Sequence, residues 1–238
     1  MKKDFKMKNR PGKPGEEKEV IYSSQHWRLL KQLRARAIEL MKLLRRYSLN
    51  PIVHGSIVRG DITPQSDIDI VLPYNVPSFI VEEALEAAGI KVLYKEIVQA
   101  TPLSAVKVYI HLSERETVSF PLTKLSLRER EFYTFGGEST LEELLKDIRK
   151  PGVNKRLMLV KPTLKGHVEY SIIGRESEVA RILGISIDTV NERKKMLLKR
   201  SAVGRTGLYM KVEIPSIQPL ETVIRKLISS GRLKLTNN

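Results

Sequence analysis

The chain has 238 residues, 41% of them hydrophobic and 29% charged, enough for one or two domains with a buried core. It has no cysteine, which excludes disulfides, thiolate nucleophiles and Cys-ligated zinc. Lysine and arginine number 42 against 27 acids, a net charge of +15 that attracts polyanions, so nucleic acid is the expected partner; a Lys/Arg-rich, thermophile-like composition is the plainer explanation.

The basic residues 1–19, with Pro11-Gly12-Lys13-Pro14-Gly15 among them, read as a charged arm. No apolar stretch of the kind a secretory signal needs follows it, and no run is apolar enough to span a membrane, so a cytoplasmic protein is expected. His26, His54, His111 and His167 are scattered without metal-ligand spacing. Trp27, Leu30, Leu33, Ala37, Leu40, Leu44 and Tyr47 recur at steps of three and four and predict an amphipathic helix over 24–47, ended by Asn50-Pro51. Ile52-Val53-His54 is a short strand running into Gly55-Ser56. Gly55 lets backbone approach an anion closely, and Ser56 offers a hydroxyl and an N–H at a helix start, where phosphate is favoured. Arg59 stands one turn later. After a loop at 61–65, Ser66 to Leu72 reads as a strand on which Asp67 and Asp69 point the same way. Two converging carboxylates invite a cation, and Mg²⁺ (or Mn²⁺) is the oxygen-seeking ion that arrives with nucleotide phosphates.

Gly55, Ser56, Arg59, Gly60, Ser66, Asp67 and Asp69 together resemble the signature of the polymerase-β-like nucleotidyltransferase superfamily. The resemblance implies that Gly55, Ser56, Arg59 and Ser66 hold an NTP, and that Asp67 and Asp69 are catalytic metal ligands. Further on, a crossover helix over 78–88 closed by Gly89, a strand at 90–98 and a hairpin of 107–112 with 116–122 fit the expected small mixed sheet. A complete member carries a third Asp on the strand after the crossover. The segment Thr117–Leu122 resembles the corresponding strand of archaeal tRNA CCA-adding enzymes, but Ser119 holds the acid position. Glu116, three residues away, faces the opposite side of a regular strand, and Glu114 sits on the turn. Such a replacement is expected to cost several orders of magnitude in rate while leaving nucleotide binding possible.

Residues 126–150 read as a helical linker, with an aromatic group Phe132, Tyr133 and Phe135 and a capping box at Ser139–Glu143 opening a helix to about Arg149. Residues 176–199 resemble a helix-turn-helix: Val179, Ala180 and Leu183 pack the first helix, Gly184 turns, Ser186 caps the second, and Val190 and Leu197 face inward. That resemblance implies Thr189, Asn191, Lys194 and Lys195 as nucleic-acid contacts, with Asp188 and Glu192 also at the exposed start of the second helix and Arg193, Lys199 and Arg200 suited to phosphates. Residues 204–214 look like a wing strand, with 157–160 and 167–173 completing its sheet and a last helix at 220–229.

The expected architecture is α+β: a basic arm (1–19), a nucleotidyltransferase-like mixed sheet with helices (20–125), the linker (126–150) and a C-terminal winged helix-turn-helix domain (151–238). The expected function is Mg²⁺-dependent transfer of a nucleotidyl group from an NTP to an acceptor that the sequence does not name, in association with nucleic acid, DNA through residues 176–200, and with a homodimer as the expected assembly. The alternative is a DNA-binding regulator whose nucleotidyltransferase-like domain senses a nucleotide without turning it over.

Overall fold

The computed structural model describes residue 15 and residues 17–204 and 207–233. In chain order its elements are β1 (Lys18–Ile21), α1 (Ser24–Arg45), β2 (Ile52–His54), α2 (Ser56–Arg59), β3 (Ile68–Val71), α3 (Ser78–Ala87), β4 (Tyr94–Gln99), β5 (Val106–His111), β6 (Glu116–Pro121), α4 (Leu127–Phe135), β7 (Glu138–Thr140), α5 (Leu141–Leu145), β8 (Gly152–Val153), β9 (Met158–Thr163), β10 (Gly166–Ser171), α6 (Glu176–Leu183), α7 (Ile187–Val203), β11 (Met210–Pro215) and α8 (Leu220–Ser229). The chain divides into two compact units that interleave along the sequence. The first comprises Met1–Arg34, His54–Ser66 and Arg130–Thr206, the second Ala35–Val53, Asp67–Glu129 and Gly207–Asn238. Neither unit is a continuous run such as 20–125 or 151–238.

The second unit is built on a mixed sheet that carries β11, β4, β5, β6, β3 and β2 in that order. β3 and β6 run parallel, while β11–β4, β4–β5 and β5–β6 are antiparallel. Alternation gives this sheet two unlike faces. One holds Ile68, Ile70, Ile97, Val108, Ile110, Val118 and Phe120, all buried. Helices cover it: Arg36 of α1 grips Glu116 through both carboxylate oxygens at 2.9 and 3.0 Å, and Glu82 of α3 holds the buried Lys95 at 2.5 Å. Burying Ala37, Leu40, Met41 and Leu44 of α1 and Val81, Ala84 and Leu85 of α3 with these strands removes most of the unit's large side chains from water, worth about 1.5–3 kcal/mol for each large one. The other face carries Asp69, Thr117, Ser119, Tyr109, His111, Tyr94 and Glu96.

The first unit has an antiparallel sheet in the order β1-β10-β9-β8. Phe135, Val153, Leu157, Leu159, Tyr170 and Ile172 pack there with Val179, Ala180, Leu183 and Val190 of α6 and α7. Residues 1–14 and 16 of the expected arm lie outside the described residues; Lys18 and Glu19, expected in it, pair with Glu169 and Val168 in β1. The helix expected from Ser139 to Arg149 is confined to Leu141–Leu145. Its capping box forms between Thr140 and Glu143, and Asp147, at φ 55°, turns the chain away.

The expected wing is corrected by the pairing of β11. Met210–Pro215 is hydrogen-bonded along its whole length to Tyr94–Gln99 in the second unit, not to β9 or β10. Its alternation is that of an edge strand in that sheet, and Met210 and Ile214 are its buried side chains. Among the described residues no helix is long and apolar enough to cross a membrane.

Candidate functional site

Gly55 lies at φ 97°, ψ −149°, a region open essentially to glycine alone. A Cβ there would meet open space, so backbone conformation fixes this residue rather than crowding. Its N–H donates to Gly137 O at 2.8 Å, which ties the bend to the loop after α4. Ser56 then opens α2, a single turn ended by Gly60, too short for the dipole of a full helix. Ser56 Oγ donates to Ser66 Oγ at 3.2 Å, and Ser66 Oγ accepts the Thr63 N–H at 2.9 Å. The turn at 63–66 thus brings the two predicted phosphate-binding hydroxyls together, one residue before Asp67.

Arg59 is not presented to a ligand. It is buried, and its guanidinium makes a forked pair with Asp61 at 2.9 and 3.1 Å and a further bond to Gly136 O. Asp61 sits two residues on, where its carboxylate satisfies the fork, so the expected phosphate contact is replaced by a strut across the loop. His54 packs edge-on against Phe132 and Tyr133, at 5.5 and 5.2 Å between ring centroids, so the aromatic group fills space beside the bend. A cavity of about 160 Å³ in this unit, lined by Thr134, Glu138, Lys150, Pro151, Ile182 and Leu183, is too small for a nucleotide.

In the second unit Asp67 is exposed and Asp69 half-buried, on either side of the buried Ile68. Asp69 is in register with Thr117, and Val71 with Ser119. Residues in register share a face, so Ser119 does look out on the side of the carboxylates, but the residue beside Asp69 is Thr117. Glu116 is held on the helix-covered face by Arg36 and cannot supply a third acid. Glu114 is exposed. Among the described residues no group of three or more Asp, Glu, His or Cys is arranged to hold a metal. β3 begins at Ile68, so strand alternation places Asp69 and not Asp67; two acids this close in the chain could hold one Mg²⁺ that completes its shell with phosphate oxygens and water, one acid short of the set that holds two ions. Tyr109, on the same face, has its phenol pushed up to about 12, first by burial and then by the carboxylates of Asp69, Glu96 and Glu129. Tyr109, Glu96 and Thr117 were not singled out from sequence. The signal was present in the polar residues at every second position of 94–96, 109–111 and 117–119.

α6 and α7 form two helices joined through Gly184, Ile185 and Ser186, with Gly184 left-handed and Ser186 Oγ capping α7 by accepting the Thr189 N–H at 3.2 Å. Thr189 is 1% exposed and donates its hydroxyl to Glu131 at 2.5 Å. It therefore serves packing and cannot touch a nucleic acid here. The same carboxylate accepts Ser186 N and Oγ, at 3.0 and 2.7 Å. Burial alone would raise the pKa of Glu131; these bonds outweigh it and hold the carboxyl below its usual range. Lys194 is half-buried and paired with Glu176 at 2.5 Å. Arg193 lies over the Phe132 ring, 4.4 Å from its centroid, and burial, then the nearby Arg200, lower it to about 10, so it too is turned from solvent. Lys195 is exposed and Asn191 half-exposed.

A family model described as "Nucleotidyltransferase domain" matches residues 38–206, well over half of the chain. No curated protein matches the chain.

Proposed function

The chain belongs to the nucleotidyltransferase-domain family, whose chemistry is nucleotidyl transfer, and we propose that it performs this transfer from an NTP with Mg²⁺ or Mn²⁺ held by Asp67 and Asp69. The observation that supports the proposal is the position of the two acids: Asp69 stands on the polar face of β3, in register with Thr117, and Asp67 is exposed one residue before that strand begins. The family signature assigns the phosphates to Gly55, Ser56 and Ser66; in the free protein the two hydroxyls bond each other, and Ser56 would exchange that bond for one to a phosphate oxygen. When bound, the ion would neutralise phosphate charge and steady the attacking and leaving oxygens. The acceptor hydroxyl attacks the α-phosphorus in line and pyrophosphate leaves. The +15 charge and the exposed Lys195 support an acceptor associated with nucleic acid, with α6 and α7 as the helix-turn-helix that meets DNA and Asn191 beside Lys195 at the contact.

Incubation with Mg²⁺, α-labelled NTPs and a panel of nucleic-acid, protein and small-molecule acceptors tests this. Label should reach an acceptor with the wild type and not with Asp67→Ala. A second reading, a nucleotide-sensing DNA-binding regulator, draws on Thr117 and Ser119 standing where a third acid would complete the site. Cation-dependent NTP uptake and salt-sensitive duplex binding, with no label transferred, would favour it.

A further inference from the structure

Across the polar face of the second unit's sheet, Asp69, Thr117, His111 and Tyr94 are successive partners in one row through β3, β6, β5 and β4. Neighbouring strands lie about 4.8 Å apart, so a hydroxyl lodged over Thr117 has the Asp69 carboxylate on one side and the His111 ring on the other. Thr117 Oγ1 is 3.4 Å from His111 Nδ1. The far nitrogen, Nε2, is buried with no hydrogen-bond partner and lies 3.6 Å from Glu96 Oε2, within ion-pair range. Glu96 is itself held by Lys211 Nζ at 2.6 Å. Tyr94 stacks on the imidazole, 4.3 Å between centroids and 13° from parallel, and fixes the ring plane. Hydroxyl, imidazole and carboxylate thus stand in line beside an Asp that lacks the usual acidic neighbour.

We propose that Thr117, His111 and Glu96 form a proton relay that takes the place of the absent third carboxylate and deprotonates the acceptor hydroxyl. This rests on the transferase reading above. As the acceptor oxygen bonds to the α-phosphorus and the bond to pyrophosphate breaks, the acceptor's proton passes to Thr117 Oγ1. The proton of Thr117 passes in the same movement to His111 Nδ1. The imidazole ends as a cation, balanced by Glu96 across Nε2–H; pyrophosphate carries away the electron pair of the broken bond. The reactive tautomer is therefore neutral, with its proton on Nε2. Thr117 touches the substrate, whereas Glu96 is a positioning residue. The titratable and charged groups on the face around the ring are Glu96 and Tyr94 on β4, Tyr109 and Lys107 on β5, Lys211 and Glu213 on β11 and Asp69 on β3.

The test compares wild type with His111→Gln, Thr117→Val and Glu96→Gln, measuring kcat and KM for NTP against pH, NTP binding by calorimetry and the imidazole tautomer by nitrogen NMR. His111→Gln and Thr117→Val should each lower kcat about 10²-fold with KM for NTP and calorimetric binding unchanged, and His111→Gln should remove the acid limb of the pH–rate profile. Glu96→Gln should lower kcat about tenfold and disturb the Nε2–H tautomer seen in the wild type. A wild type that transfers label while His111→Gln keeps kcat within twofold and the acid limb intact overturns the relay alone. So does a wild-type resonance showing the proton on Nδ1. A wild type that transfers nothing overturns the transferase reading, and the relay with it. If His111→Gln fails to fold without its stack on Tyr94, Thr117→Val decides the matter.

Discussion

Two adjoining stretches, Gly55–Ser66 and Asp67–Val71, use their polar residues in opposite ways. In the first, nearly every polar group is answered within the unit. Arg59 is forked to Asp61, Ser56 and Ser66 bond each other, and Gly55 is tied to Gly137. In the second, Asp67 is exposed, Asp69 is half-buried, and the residue in register with Asp69 is the neutral Thr117. The first stretch spends its hydrogen bonds on a fixed shape, while the second carries the two acids that the proposed function assigns to a cation. A motif residue's identity therefore does not give its role. What decides is whether a partner in the same fold already satisfies it.

That contrast can be broken first at the carboxylates. Asp69→Ala should leave the melting temperature nearly unchanged and lower transfer by about 10³-fold or more, about 4 kcal/mol of transition-state stabilisation, measured with labelled NTP. Arg59→Ala should do the reverse. It leaves Asp61 at only 13% side-chain exposure without its cation, so denaturant titration should show a loss of about 3 kcal/mol, with KM for NTP little changed in the folded fraction. A strong KM effect with no loss of stability would return Arg59 to the phosphates.

Smaller effects sharpen the comparison elsewhere. Glu131→Gln should cost about 2 kcal/mol by weakening the bonds to Ser186 and Thr189. Glu131, Glu143, Glu169 and Glu176 all have carboxyls held below the usual range. Protons therefore bind the unfolded chain more readily than the folded one at these sites. Their stabilisation is fully present above the ordinary carboxylate pKa, about 4.3, and is lost as pH falls through the depressed values. Denaturation midpoints followed from pH 7 to pH 2 should be level at first and then drop, less steeply in Glu131→Gln. Smallest of all, Lys195→Ala should weaken duplex binding uniformly across sequences and reduce the salt slope by about 1, while Thr189→Ala should lower stability instead. Equal losses of duplex binding in both would contradict the burial of Thr189.

Much of the fold was legible because it rests on local periodicity. The helical spacing of Trp27 to Leu44, the strand around Ile68 and the cap at Ser186 each dictate their own element. Pairing between distant segments was not legible. Nothing near residue 210 reveals that the alternation of Met210–Pro215 is read by β4, more than a hundred residues earlier. Pro151-Gly152 looks like a boundary, yet a Cβ on Gly152 would lie 2.4 Å from Gly137 N, so the residue marks a close backbone approach. Within the site, the two-residue period holds for Asp69, whereas Asp67, expected on the same strand, falls one residue before β3 begins. The fate of Arg59 was not legible, since Asp61, two residues on, reads from sequence only as part of a loop. That Thr117, and not Ser119, is the residue in register with Asp69 was not legible, because the register of β3 against β6 depends on the whole sheet.

The central claim is that Asp67 and Asp69 capture a nucleotide through a divalent cation. Calorimetric titration of the four common NTPs into the wild type, once with Mg²⁺ and once with chelator, and again into an Asp67→Asn, Asp69→Asn double variant, tests it most directly. At least one NTP should bind in the presence of the cation alone, and the double variant should not bind it. No uptake of any NTP, or uptake that persists in chelator or in the double variant, would contradict the claim.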